Sequence, residues 1–496
     1  MPHARGAAER LFAAFAAVPG KAALEFEGRA SPYGELVRLA DRFAAGLRAS
    51  GVGKGDAVAV RMTTSPETVV ALLGVLRAGA VYVPLNPVLT GEERLHVLSD
   101  SEARLTVTRG GGAPGPHPEA DWDDVLAAGR DAGGWHEPLP GDDETALLLY
   151  TSGTTGKSKG VELSMRAVVS NLCAVTDLWR VTELDRVVVA LPLFHVHGLG
   201  LGVIGSLLHG ATALLFAKFD PAAVVAAFET GRATVFMGVP TMYVRLLEHM
   251  EREPAAGAAL SKARLFTSGS APLSAADFAA FRAATGHEVL ERYGMTETFF
   301  TLSNPYDGER RPGSVGLPVP GCEVRIVDDA GGPLPDGEAG ELVVRSNGML
   351  TRYRNRPEET AASFRDGWFL TGDVATRSTD GYVTLHGRTS VDFVKSGGYR
   401  ISAREIEEVL SRDPRVREAA VVGLPDRVWG QRVAAAVLAA PGVDAAGLPG
   451  ELRELAAVSL APYKQPRDIV VLAEFPRTPL GKIRKNALAA LLTKGE

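Results

Sequence analysis

A hydrophobic run breaks into hydroxyls, glycines and lysines at 149-LYTSGTTGKSKGV-161. Glycines such as Gly153 and Gly156 let backbone N–H groups turn toward an anion. The hydroxyls of Thr151, Ser152, Thr154 and Thr155 add donors, and Lys157 and Lys159 add charge. The chemistry such a stretch suits is the holding of phosphate. Gly156-Lys157-Ser158 imitates the end of a Walker A loop, but Thr151 stands where that pattern needs its first glycine, so the P-loop NTPase reading fails at its own spacing. A polar linker is the bland alternative.

Further groups able to do chemistry recur in order along the chain: 191-LPLFHVHG-198, 268-SGSAPL-273, 291-ERYGMTET-298, 371-TGD-373, 388-RTSVDFVKSGGYRI-401 and 477-RTPLGKIRK-485. Each has an ordinary explanation when taken singly. Glu297 reads as an acid at a helix start, Asp373 as a turn residue after Gly372, His197 as a packed histidine and Lys482 as a solvated surface lysine. The order of the set is far more specific than any member.

These residues need elements to position them. Leu36, Leu39, Phe43 and Leu47 recur at helical spacing before the strand-like 56-DAVAVRM-62. Ser65-Pro66 opens a helix that runs into the apolar strand 81-VYVPL-85. Similar strands at 187-VVVALPL-193, 212-TALLF-216, 234-TVFMGVP-240 and 264-RLFTSGS-270 end in loops rich in Gly, Ser, Pro or His. In open α/β sheets ligands sit at such carboxyl ends. After about residue 320 the texture becomes short alternating strands with Gly/Pro turns. From Arg388 a small α+β domain follows, with a helix at 403-AREIEEVLSRD-413, a strand at 419-AAVVGLPD-426, a polar helix near 449 to 459 and a strand at 469-IVVLAEF-475.

The chain has 496 residues, 46% hydrophobic and 23% charged, which gives room for several domains and a large core. Its 53 Lys and Arg against 59 Asp and Glu leave a net charge of -6, which offers no global attraction for nucleic acid or an anionic membrane. Cys173 and Cys322 lie far apart and form no CxxC pair or disulfide framework, as suits a reducing, cytoplasmic setting. The run 11-LFAAFAAVPGKAAL-24 is interrupted by Pro19, Gly20 and Lys21 and reads as an ordinary helix rather than a leader.

In its ordered motifs the chain resembles the adenylate-forming superfamily of acyl-CoA synthetases, luciferases and nonribosomal adenylation domains, over nearly its full length. Within it, 192-PLFHVHGL-199, 238-GVPTMY-243 and 291-ERYGMTET-298 look like the malonyl-CoA synthetase branch, and 387-GRTSVD-392 is similar to its mitochondrial members. The resemblance implies an α/β adenylation domain over 1–387, including the β-rich subdomain, and a small mobile α+β domain over 388–496. Residues 151 to 159 become the loop for the β- and γ-phosphates of ATP, while a carboxylate attacks the α-phosphorus. Lys482 becomes the lysine that bridges carboxylate and α-phosphate, Thr296 an α-phosphate donor and Glu297 the Mg²⁺ ligand. Tyr293 lies along the adenine opposite Gly269, Ser270 and Ala271, with Gly294 and Met295 completing that wall. Asp373 and Arg388 take the ribose.

The same resemblance implies a second half-reaction with CoA, for which the C-terminal domain turns about Ser390 and presents 395-KSGGYRI-401. Ser396, Gly397, Gly398 and Tyr399 then flank the pantetheine arm. The stretch from Arg388 to Asp392 is one residue longer than the commonest superfamily form. His195 matches the residue that gates the acyl-adenylate. Arg245, Arg292 and His197 match the malonate branch, where they would face a distal carboxylate at the acyl end. The expected activity is therefore ATP-dependent ligation of malonate or methylmalonate to CoA. A medium-chain or aryl monocarboxylate ligase and a stand-alone domain loading a carrier protein are the rivals, the latter disfavoured because no carrier segment follows. Phe299 and Phe300 could narrow the acyl pocket or line a longer one.

Overall fold

The computed structural model describes residues 6–110, 117–131, 135–151, 158–388, 392–396, 399–426, 429–460, 462–478 and 481–494. The chain forms two compact units, one of residues 1–324 with 344–369 and the other of 325–343 with 370–496. The expected boundary at Arg388 falls inside the second unit.

In the first unit, one sheet runs Arg352–Tyr353, Lys159–Ser164, Thr145–Thr151, Val81–Pro84, Ala57–Arg61, Leu105–Thr108, Glu119–Asp121. Thr145–Thr151 and the strands beyond it are parallel, as βαβ crossovers require, and the first two join antiparallel. Ser65 caps the helix Pro66–Arg77 by accepting the Thr68 N–H, with Pro66 at the first helical position. The helices Tyr33–Ala49 and Trp122–Asp131 approach to backbone contact, since a Cβ on Gly46 would stand 1.9 Å from the Val125 carbonyl oxygen and one on Gly129 1.9 Å from that of Arg42.

A second layer in this unit places Leu290–Met295, Leu265–Ser268, Val235–Gly238, Arg186–Val189, Thr212–Leu215 and Ala22–Phe26 side by side and parallel. Their carboxyl ends lead into the His195, Val239, Gly269 and Thr296 segments. After Arg186–Val189 the chain enters a π-helix, His197–Gly205, buried at every residue. The read pattern of strands omitted that widened turn.

The second unit is built on a sheet ordered Tyr399–Ser402, Phe393–Ser396, Gly430–Ala439, Val416–Asp426, with Asp468–Leu472 parallel to Gly430–Ala439. Alternation divides its side chains between two cores. Val421, Val433, Ala435 and Val437 pack with Ile406, Leu452 and their neighbours, whereas Ala420, Val422, Ala434 and Ala436 pack with Phe475, Leu488 and Leu492. Helices Ala403–Leu410 and Leu448–Ser459 match the read positions. Among the described residues no helix is long and apolar enough to cross a membrane.

Candidate active site

In the first unit the site grows from a tight hairpin. Leu290–Met295 pairs antiparallel with Phe299–Ser303, Gly294 opposite Phe300 and Met295 opposite Phe299. Thr296, Glu297 and Thr298 form its tip, so Glu297 belongs to a turn between strands, not to a helix start. A Cβ on Gly294 would lie 2.0 Å from the Phe299 carbonyl oxygen, and Phe299 itself takes a left-handed φ of 55°, so the tip is held in a costly conformation. Asn171 fixes the returning strand by accepting the Phe300 N–H and donating to its carbonyl at 3.1 and 2.8 Å.

Arg292 lies on this hairpin and is buried, 4% exposed. Its guanidinium carbon stands 4.8 Å from the centre of the Phe300 ring. On another side it presses on Gly269, where a Cβ would come within 2.5 Å of that carbon and would displace the guanidinium. Nε and Nη2 have no hydrogen-bond partner among the described residues. Burial pushes its pKa down to about 9. His197 is also buried and shares a 3.4 Å hydrogen bond, through Nδ1, with Ser270, while its Nε2 has none. Burial first, then the charges of Arg292 and His195, hold its pKa well below the usual value. His195, in ring contact with Phe194 at 4.7 Å, has its pKa lowered to about 4 by burial and likewise an unpartnered Nε2. Both imidazoles are therefore neutral at pH 7 and offer an N–H donor or a lone pair.

Phe299 and Phe300 are fully buried. Phe300 seats Arg292, and Phe299 packs toward Gly200 of the π-helix, whose Cβ would be 3.5 Å from its ring. Arg245 differs from its expected place. It is exposed on the helix Pro240–Arg252, its guanidinium 5.3 Å from the Phe219 ring. The spacing from 238-GVPTMY-243 indicates the right helix but not the face on which Arg245 stands.

The adenine and phosphate residues are spread over the same unit. Tyr293 and Met295 are half-buried and in contact, the hydroxyl 3.7 Å from the thioether sulfur. Ser270 takes a left-handed φ of 68° beyond Gly269, with Ala271 following half-buried. Thr151 and Lys159, at the two ends of the segment expected to hold the phosphates, are direct partners across their strands. Ser152, Gly153, Thr154, Thr155, Gly156 and Lys157 of that loop lie outside the described residues. Lys159 pairs with Glu359 at 2.5 Å. Glu297 is 8% exposed and accepts a hydrogen bond from the Tyr353 hydroxyl at 3.2 Å. Among the described residues no cluster of three His, Cys, Asp or Glu could hold an ion unaided. One buried carboxylate at a hairpin tip fits an ion that takes its remaining ligands from phosphate and water, as Mg²⁺ does.

The second unit gathers the ribose and lysine residues. Asp373 and Arg388 are register partners on adjacent strands, and the Arg388 Nε donates to the Asp373 carboxylate at 3.0 Å. Asp392 accepts the Arg388 N–H at 2.9 Å and takes Lys485 at 2.7 Å, which also reaches Glu407 at 2.8 Å. Lys482 follows Gly481, whose φ is +80°, in a turn closed by Thr478 N–H donating to the Lys482 carbonyl at 2.8 Å. Its head keeps contact with solvent, yet desolvation and then the Arg388 charge push its pKa down, against Asp392 and Asp373. Ser396, buried, opposes Tyr399 across the 393–402 hairpin. Gly397, Gly398 and Ser390 lie outside the described residues. Sequence reading missed Tyr353, Asn171, Lys485 and Glu407. The motif 351-TRYRNRPEET-360 was the one available signal for Tyr353.

Residues 11–354 match the model of the AMP-binding enzyme family, and 405–482 that of the AMP-binding enzyme C-terminal domain. The mitochondrial malonate–CoA ligase of Homo sapiens is 41% identical over 69% of this chain, which spans 65% of that relative's length. An indoleacetate–CoA ligase of Aromatoleum aromaticum is 35% identical over 96% of both chains. The crystal structure of ATP-bound MatB from Rhodopseudomonas palustris is 36% identical, covers 98% of this chain and 99% of its own, and superposes with a TM-score of 0.90. With nearly seven-tenths of its length matched by one family model, and the His195, Gly269 and Glu297 motifs inside that span, the chain belongs to the AMP-binding enzyme family.

Proposed function

We propose that the protein is an ATP-dependent malonate–CoA ligase that works through an acyl-adenylate and releases AMP and pyrophosphate. Arg292 carries the reading. A buried guanidinium with open donors at Nε and Nη2 is costly to keep. The distal carboxylate of a short diacid supplies both the counter-charge and two acceptors in the plane of the fork. His197, beside it and neutral, adds a donor without adding a competing charge. Methylmalonate presents the same carboxylate and differs by a methyl group. A monocarboxylate with an apolar tail would leave Arg292 stranded. The name of the human relative supports the diacid, and the name of the Aromatoleum relative supports an aryl monocarboxylate as the second reading.

In the proposed reaction the substrate's proximal carboxylate oxygen attacks the α-phosphorus and pyrophosphate leaves. Lys482 lies between the attacking oxygen and the α-phosphate, where its charge offsets the growing negative charge. Lys159 and the loop before it hold the β- and γ-phosphates, Asp373 accepts from the ribose hydroxyls, and His195 shields the mixed anhydride from water. Mg²⁺ bound through Glu297 would supply charge neutralisation on the phosphates. CoA thiolate then attacks the acyl carbon and AMP departs, with Ser396 to Tyr399 lining the path. Pyrophosphate release measured with malonate, methylmalonate, butyrate and indoleacetate tests the proposal. Preference for either monoacid overturns the diacid reading.

A further inference from the structure

The strand Arg352–Tyr353 pairs antiparallel with Lys159–Ser164, Arg352 opposite Glu162 and Tyr353 opposite Val161. Neighbours on a strand point to opposite faces. On one face Arg352 and Arg354 grip the carboxylate of Glu162 at 3.0 and 3.2 Å, and that carboxylate is 2% exposed. A buried acid held by two guanidiniums resists twisting of the strand, because turning it would strand the charge. Tyr353, between the two arginines, is thereby aimed at the other face.

What it meets there belongs to two different motifs. Its hydroxyl donates to Oε1 of Glu297, and the ammonium of Lys159 stands 5.2 Å from the centre of its ring. The backbone is tied in on both sides. The Leu350 N–H donates to the Glu297 carbonyl at 2.7 Å, and the Tyr353 N–H donates to the Thr360 hydroxyl at 3.0 Å. Thr360 neighbours Glu359, the carboxylate that pairs with Lys159. A tyrosine that merely filled the core would need one acceptor for its hydroxyl. This one holds a carboxylate by its edge and a cation on its face, and the two lie 138 residues apart in sequence by their numbers, 297 and 159.

We propose that Tyr353 is a positioning residue that sets the Glu297 carboxylate and the Lys159 ammonium relative to each other, so that metal and phosphates are received by a pre-aligned pair. The inference rests on the metal role proposed for Glu297. Without nucleotide, Lys159 rests on Glu359 and on the Tyr353 ring. When the phosphates arrive they take over the ammonium from Glu359, while the ring keeps it on the same side as Glu297.

Removing the hydroxyl and removing the ring separate its two functions. Tyr353→Phe keeps the seat of Lys159 and removes the hydroxyl's hold on Glu297, whereas Tyr353→Leu loses both. Binding of Mn²⁺ in the presence of α,β-methylene-ATP, followed by the loss of the free-ion paramagnetic resonance signal, reads the metal without turnover. Tyr353→Phe should weaken Mn²⁺ binding about tenfold, the scale of losing an outer partner of a metal ligand. Its KM for ATP at saturating metal should stay near that of the wild type, whereas Tyr353→Leu should raise that KM as well. Thermal melts establish that each variant is folded, and the isosteric Tyr353→Phe suffices if Tyr353→Leu is not. If Tyr353→Phe binds Mn²⁺ like the wild type while Glu297→Gln loses it, the positioning role is wrong and the metal reading stands. If Glu297→Gln also binds Mn²⁺ like the wild type, the metal reading itself fails and this inference with it.

Discussion

Two clusters of charge, one in each unit, are built in opposite ways. Around Arg292, the first unit encloses a guanidinium and two imidazoles, leaving Nε and Nη2 of the one and an Nε2 on each of the others without partners among the described residues. Around Asp392, the second unit encloses charges that are matched, Lys485 serving both Asp392 and Glu407, and Arg388 meeting Asp373. Burying an unpaired charge costs free energy, and a saturated network does not improve by admitting another ion. The first arrangement is therefore suited to receiving an anion from outside. The second is suited to holding a side chain such as Lys482 beside a frame whose own charges are already paired.

Removing Lys482 gives the largest expected effect. Lys482→Ala should cut pyrophosphate release by about a thousandfold, the scale of losing a preorganised donor to a developing charge. Thioester formation from added acyl-adenylate should survive. Equal loss of both steps would mean that Lys482 supports the unit's structure instead.

Arg292→Ala should lower kcat/KM for malonate by about 2 to 5 kcal/mol, roughly thirtyfold to several-thousandfold, and spare butyrate. Arg245→Ala, removing a guanidinium that is exposed over Phe219, should do far less. A proportional loss on both acids in Arg292→Ala would make that arginine structural.

Stability sharpens the contrast further. Lys485→Met strands two carboxylates and should lower stability by about 3 kcal/mol, whereas Arg292→Met removes an unpaired buried cation and should leave the melting temperature unchanged or raised. Chemical denaturation of the two variants reads this, and losses of equal size would erase the distinction between the regions.

The smallest effect concerns pH. Burial lowers the ionisation of the Arg292 guanidinium to about 9 when folded, well below the ordinary group, so the folded chain gains stability as pH rises above about 9. The malonate complex moves the other way. It needs the charged form, so KM for malonate should rise about tenfold per pH unit above about 9 while KM for butyrate stays flat.

The sequence displays some of this directly. Apolar strands ending in Gly, Ser and His mark the carboxyl ends where Arg292, Ser270 and His197 come together, because a parallel sheet forces those ends into one row. The strand Gly430–Ala439 was not legible. Its 433-VAAAVLAA-440 is rich in alanine, a helix former, and it is a strand only because both of its faces are buried where small side chains fit. Nor does any local pattern tell that Tyr353 will meet Glu297, since the two lie 56 residues apart and on elements of different sheets. Arg245 shows the same limit from the other side. Helical spacing fixes its neighbours along the helix, but exposure depends on what packs over Phe219.

The π-helix at His197–Gly205 carries a residue more per turn than an ordinary helix, and its first residue is the imidazole that faces Arg292. Loss of one codon within it would force tighter winding on the segment and shift His197 relative to the residues after it. On the proposed diacid reading, such a deletion would alter acyl-group choice without an exchange at Arg292.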